Sequence, residues 1–271
     1  QVYASRSGNT NEDYLYALSP ADGSILWRSE ALIGEGSTES LCFAPNGDPI
    51  AGNMDALIRI DRTDGTTVWS VSRSCPSSDG AMASVYGNRA YVWEASPYGP
   101  IVTAFDLDEG ERLFSTPAIA GGLVQQLGLL CGPDGTIYAP RTQNNPATDF
   151  FVALADTGMG FEEQWRVPLG YVPFASFGVG TDGSVYTYAP ETDPDMYVLR
   201  LNPETGDELD RSPPIPSDWP VKPRIAIDTQ GTVFLTNGGF AQGAVYAFTP
   251  DLQIIWWEPL NGVNLGGPVL A

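Results

Sequence analysis

The sequence predicts an all-β fold: a six-bladed β-propeller of four-stranded antiparallel blades, its ring closed by the C-terminal strand joining the N-terminal blade. Three observations lead there. A glycine-centred turn returns at nearly constant spacing. A second element, an apolar run leading through a polar turn to a strand that often ends in tryptophan, returns six times. Glycine and proline are abundant, 30 and 23 of 271 residues, as suits a chain that reverses every few residues.

The first element appears as Asn46-Gly47-Asp48, Gly87-Asn88, Asp134-Gly135-Thr136, Asp182-Gly183-Ser184 and Gln230-Gly231-Thr232. Its glycines are spaced by 40, 48, 48 and 48 residues. Each lies between β-rich runs, the signature of a hairpin whose turn needs positive φ.

The second element runs from 14–18 to Trp27, 57–61 to Trp69, 101–105 to Phe114, 151–154 to Trp165, 197–201 to Asp210 and 245–248 to Trp256. Joined, the two elements make units of four short strands in meander order, the period of propeller blades. A lone four-stranded sheet cannot bury both faces, whereas stacked blades bury each other. The predicted blades are 266–271 with 1–29, then 39–72, 81–116, 125–168, 174–212 and 223–258. The run 267–271 matches a first strand and 1–4 a second, so the two ends are expected in one blade, hiding both edges. The whole of 1–271 is expected to form a single domain.

The stretch Ala17 to Trp27, with Asp22-Gly23 in its turn, and the stretch Ile60 to Trp69, with Asp64-Gly65, are similar to the tryptophan-docking motif of PQQ-type propeller repeats. Leu201 to Gly206 keeps the turn but reaches Asp210 where tryptophan belongs. The resemblance implies that Trp27, Trp69, Phe114, Trp165 and Trp256 dock on neighbouring blades, with the indole N–H finding a carbonyl. It also implies two branches. The quinoprotein dehydrogenases use adjacent cysteines or a histidine base, and this chain has neither. The non-enzymatic branch, typified by the outer-membrane assembly propeller lipoprotein, needs no cofactor and is the one expected here. The segment 61–69 also resembles the Asp-box of sialidases, a structural hairpin in that family.

The net charge is −20, and Lys222 is the single lysine. Such a surface repels phosphate backbones, so nucleic acid is excluded as a partner. No apolar run is long enough for a transmembrane helix. Histidine is absent, which removes Ser-His-Asp chemistry and the commonest metal ligand. Of the cysteines, Cys42 and Cys131 sit in apolar strand segments and read as small buried residues, while Cys75 lies in a loop. No CxxC pair suggests zinc. Acid-rich runs at 9–13, 106–109 and 191–195 could hold Ca²⁺, but none has an EF-hand spacing, and solvated loops are expected.

Propeller ligands sit where the loops between second and third strands meet those between blades. Such loops are expected at 5–13, 94–100, 140–149, 190–195 and 237–243. Their binding candidates are Tyr98, Arg141, Asn144, Asn145, Asp149, Asp193 and Phe240, with Trp219 in the 212–223 connection. No catalytic residue is assigned. The expectation is a monomeric extracytoplasmic propeller, periplasmic, outer-membrane-attached or secreted, that binds a protein or glycan. It would serve as a scaffold, as a module of a surface protein or lipoprotein. The competing expectation is a carbohydrate-active hydrolase or lyase using loop carboxylates.

Overall fold

The computed structural model describes residues 1–5, 13–33, 41–76, 83–119, 128–141, 150–168, 177–190, 195–216, 224–237 and 243–260. All regular structure among them is β, in six antiparallel sheets. The first holds β1 (Val2–Ser5), β2 (Leu15–Leu18) and β3 (Ile25–Arg28). The second holds β4 (Leu41–Phe43), β5 (Pro49–Gly52), β6 (Ala56–Ile60) and β7 (Thr67–Ser72). The third holds β8 (Ser84–Tyr86), β9 (Arg89–Ser96), β10 (Gly99–Asp106) and β11 (Arg112–Ser115). The fourth holds β12 (Leu130–Cys131), β13 (Ile137–Arg141), β14 (Phe150–Asp156) and β15 (Phe161–Pro168). The fifth holds β16 (Gly178–Val179), β17 (Val185–Pro190), β18 (Asp195–Leu201), β19 (Glu208–Arg211) and a fifth strand, β20 (Ile215–Pro216). The sixth holds β21 (Arg224–Ile227), β22 (Val233–Thr236), β23 (Ala244–Phe248) and β24 (Ile254–Pro259).

These sheets fall where the sequence repeats place the blades. The first has three described strands, and the fourth expected for it, 266–271, lies outside the described residues. The five hairpin glycines all have positive φ, from 58° at Gly87 to 90° at Gly47. The chain forms two compact units: Gln1–Ala120 with Thr157–Phe161, and Gly121–Asp156 with Glu162–Ala271.

Within each unit the sheets are joined by a repeated junction. In the first, the Trp27 indole N–H donates to the Arg62 carbonyl at 2.9 Å, and that of Trp69 to Leu107 at 2.7 Å. In the second, Trp165 donates to Pro203 at 2.8 Å. Each acceptor lies three residues before a turn glycine on which the ring rests. A Cβ on Gly65, Gly110 or Gly206 would stand 2.7 Å from the docked indole, and all three have φ between 71° and 80°. Glycine is required there twice over, by the backbone and by the ring. Phe114, which has no N–H, instead packs edge-on against Phe161, centroids 5.1 Å apart, with the Arg89 guanidinium over its face. Trp256 contacts Phe234 of its own sheet at 6.2 Å and is 43% exposed.

A feature with no clear sequence signal accompanies the junction. The register slips at Ala17/Leu18, Arg59/Ile60, Ala104/Phe105, Arg200/Leu201 and Ala247/Phe248, one residue before each turn. Such bulges add twist and re-aim the strand that follows. The residue paired just before the slip faces Trp27, Trp69, Phe114, Asp210 or Trp256.

The cores lie between successive sheets of a unit. One joins Leu15, Ala17 and Trp27 to Ile58 and Ile60, and another joins Tyr186 and Val198 to Leu235 and Phe248. Two expectations are corrected. Cys42 and Cys131 are only half-buried, because they sit on short first strands covered on one side, while Cys75 is the buried thiol, its loop pinned by an N–H bond to the Met54 carbonyl. All three are free. The expected loop at 94–100 is instead a tight hairpin: β9 runs to Ser96 and β10 starts at Gly99, whose φ of 125° turns the chain.

Candidate functional site

A concavity lies in the second unit, between the fifth and sixth sheets. Pro214 and Pro216 form one wall, and Tyr246, Trp257 and Pro259 the other, enclosing about 560 Å³. The walls are fixed by Asn237, itself buried. Its side-chain amide donates to the Pro216 carbonyl at 3.1 Å, and its oxygen accepts the Ala244 N–H at 2.8 Å. The Leu260 N–H closes the end on the Gly243 carbonyl. The proline wall is held because β20 pairs Pro216 with Asp195 and Ile215 with Met196.

Tyr246 and Trp257 are cross-strand partners on β23 and β24. Their rings lie 6.2 Å apart and 22° from parallel. Tyr246 is buried, which pushes its hydroxyl above the usual phenol range, while Trp257 is 54% exposed. Every residue of β24 is exposed, unlike β3, β7, β11, β15 and β19. The docking motif points to Trp256 and not to its neighbour Trp257. The available signal was the pair itself, since adjacent strand residues face opposite ways.

A second groove, about 550 Å³, opens between the fourth and fifth sheets of the same unit, with Asp134, Asp182 and Glu204 on its lining. Two of its carboxylates are engaged in their own hairpins. Asp134 accepts the Thr136 N–H at 3.0 Å, and Asp182 accepts Ser184 N–H and Arg200 Nη2, each at 3.0 Å. Burial raises the Asp182 pKa, but these donors outweigh it and the net shift is downward. In the acid-rich run at 106–109, Asp106 likewise accepts the N–H groups of Asp108 and Glu109. No cluster of metal-ligating side chains occurs among the described residues.

Of the sequence-predicted binding residues, Tyr98 stands at the tip of the β9–β10 hairpin, 90% exposed. Arg141 ends β13. Asn144, Asn145, Asp149, Asp193, Trp219 and Phe240 lie outside the described residues.

Six antiparallel sheets in series, with a tryptophan docked on a glycine turn at three of their junctions, define a PQQ-like repeat β-propeller. Residues 2–142, just over half the chain, match the family described as outer membrane protein assembly factor BamB, and the chain belongs to that family. No curated protein matches in sequence. Among solved structures, BamB from Moraxella catarrhalis is similar at 17% identity and a TM-score of 0.63, over 96% of this chain and 74% of that one. The Dos1 propeller is similar at 10% identity and a TM-score of 0.66, over 97% and 69%. A europium-containing methanol dehydrogenase is similar at 11% identity and a TM-score of 0.61, over 96% and 69%. At these identities the likeness speaks for the fold. Cys42, Cys75 and Cys131 are far apart in sequence, and the chain has no histidine.

Proposed function

We propose that this chain is a non-enzymatic binding or scaffold propeller that acts outside the cytoplasm, as a module of a surface protein or lipoprotein. It forms one domain over 1–271, closed by 266–271 completing the first sheet, and works as a monomer without a cofactor. Its ligand, a protein or glycan, is met on the loop side, where Tyr98, Arg141, Asn144, Asn145, Asp149, Asp193, Trp219 and Phe240 contribute. Membership of the BamB family supports the scaffold role. The observation that carries the binding reading is Trp257, a half-exposed indole in a groove with rigid walls. Exposed aromatics in such settings anchor partners. Immobilised protein is expected to retain a defined partner from envelope fractions, less so as Trp257→Ala. Retention of nothing, or turnover of a glycan by the purified chain, would overturn the reading.

A further inference from the structure

We propose that the groove between the fifth and sixth sheets takes an extended, proline-rich segment carrying arginine or lysine, supplied by a partner protein; this rests on the binding reading above. Among the described residues, no charged side chain lines the groove. The side-chain amide of Asn237, which does line it, is committed on both its nitrogen and its oxygen. A sugar would find apolar rings but few side-chain partners for its hydroxyls, and buried hydroxyls left unpaired are costly. A polyproline II segment has the opposite needs. It offers ring faces for stacking and carbonyls that seek donors, and it is extended before it binds.

The site supplies both. Trp257 and Tyr246 form a near-parallel aromatic step, facing Pro214 and Pro216. The indole N–H of Trp257 has no partner among the described residues, whereas those of Trp27, Trp69 and Trp165 each meet a carbonyl. It is the donor such a ligand needs. Charge sets the rest of the partner's chemistry. Glu258 lies with Trp256 on the other face of β24 and does not meet the ligand, so the attraction to a cation comes from the chain's overall charge of −20. A neutral oligoproline therefore gains less than one flanked by cations.

The test titrates the full chain with a synthetic peptide of about ten residues, prolines flanked by arginines, reading tryptophan fluorescence and the indole N–H resonances. Binding is expected, weakened at least about tenfold by Trp257→Ala. Pro214→Ser, on the opposite wall, should weaken it too. Trp256→Ala should leave it unchanged, since Trp256 pairs on the other face of β24 with Ala247. Added salt and removal of the arginines should each reduce affinity. Equal binding to Trp257→Ala of native melting temperature, or binding of an oligosaccharide with none of the peptide, overturns the proposal. If the peptide fails while envelope capture still depends on Trp257, the binding reading stands and the proline-rich assignment falls. If the peptide binds through Trp257 and nothing is captured, the groove chemistry stands and the scaffold reading falls.

Discussion

The Tyr186 hydroxyl donates to the Pro250 carbonyl at 2.9 Å, and so occupies the acceptor that an indole fills at other junctions. Pro250 precedes Leu252 in the turn as Pro203 precedes Gly206, with one residue fewer between them. The fifth sheet has Asp210 in the tryptophan position, paired to Arg200 Nη1 at 3.1 Å. Loss of the indole is thus answered from a different strand, β17. The glycine against which an indole would rest is replaced too: Leu252 is fully buried and holds a φ of 62°.

Tyr186→Phe should therefore cost about 1 kcal/mol at neutral pH, read from urea midpoints, by removing the hydroxyl from that carbonyl. Burial chiefly pushes the Tyr186 hydroxyl up to about 12, with Arg200 pulling the other way, and burial pushes Tyr138 to about 12 as well. An unfolded tyrosine ionises near pH ~10, so the unfolded chain releases these protons first. Their contribution is intact below that pH and is lost as pH rises through the folded values. Alkaline unfolding should be shallower in Tyr186→Phe. An identical alkaline slope in both proteins would refute the assignment.

Gly206→Ala and Gly23→Ala separate the two demands on the turn glycine. Both positions have φ near 75°, but a Cβ at 206 meets the Trp165 ring, while among described residues nothing lies within 4 Å at 23. The first should cost the backbone strain plus about 1–3 kcal/mol of overpacking, the second the strain alone. Comparable losses in thermal unfolding would mean that the ring contact is unimportant.

Arg59 is half of a buried pair. Its Nε and Nη2 each lie 2.9 Å from Asp48 Oδ2, and Nη1 reaches the Leu107 carbonyl at 2.6 Å. Arg59→Met should destabilise by about 3 kcal/mol, because it leaves Asp48 without its cation. Asp48→Asn combined with Arg59→Met should recover much of that. A double variant no more stable than the single would show that the loss lies in packing.

Tyr98→Ala should change stability by no more than about 0.5 kcal/mol, since the ring is almost wholly in solvent. If Tyr98 belongs to the ligand surface, envelope capture should fall while the melting temperature holds.

Removing 266–271 tests ring closure. An unfilled first sheet would expose an edge, and the melting temperature should drop by about 4 °C or more. An unchanged melt would mean that this segment completes nothing.

The blades were legible because their punctuation is chemical. Gly47, Gly135 and Gly183 mark turns that need positive φ, and Trp27, Trp69 and Trp165 dock as their motif implies. The fifth junction was not legible. Asp210 announces a missing indole, but nothing local to Tyr186 says that its hydroxyl reaches Pro250, 64 residues on. The groove was half legible. Its neighbourhood was expected from the loops at 212–223 and 237–243, yet Trp257 depends on whether a second sheet covers one face of β24. That is a tertiary fact, and alternation alone cannot supply it. The 94–100 segment misled because its Pro97 and Gly99 suit a loop, whereas only Pro97 and Tyr98 separate the paired ends of β9 and β10.

The acceptors for the three docked indoles belong to Arg62, Leu107 and Pro203, residues that share no side-chain chemistry. A peptide oxygen survives every substitution at its own position. The fastening between neighbours is therefore blind to what the rim displays, and outward-facing residues can diverge from one repeat to the next without loosening the array.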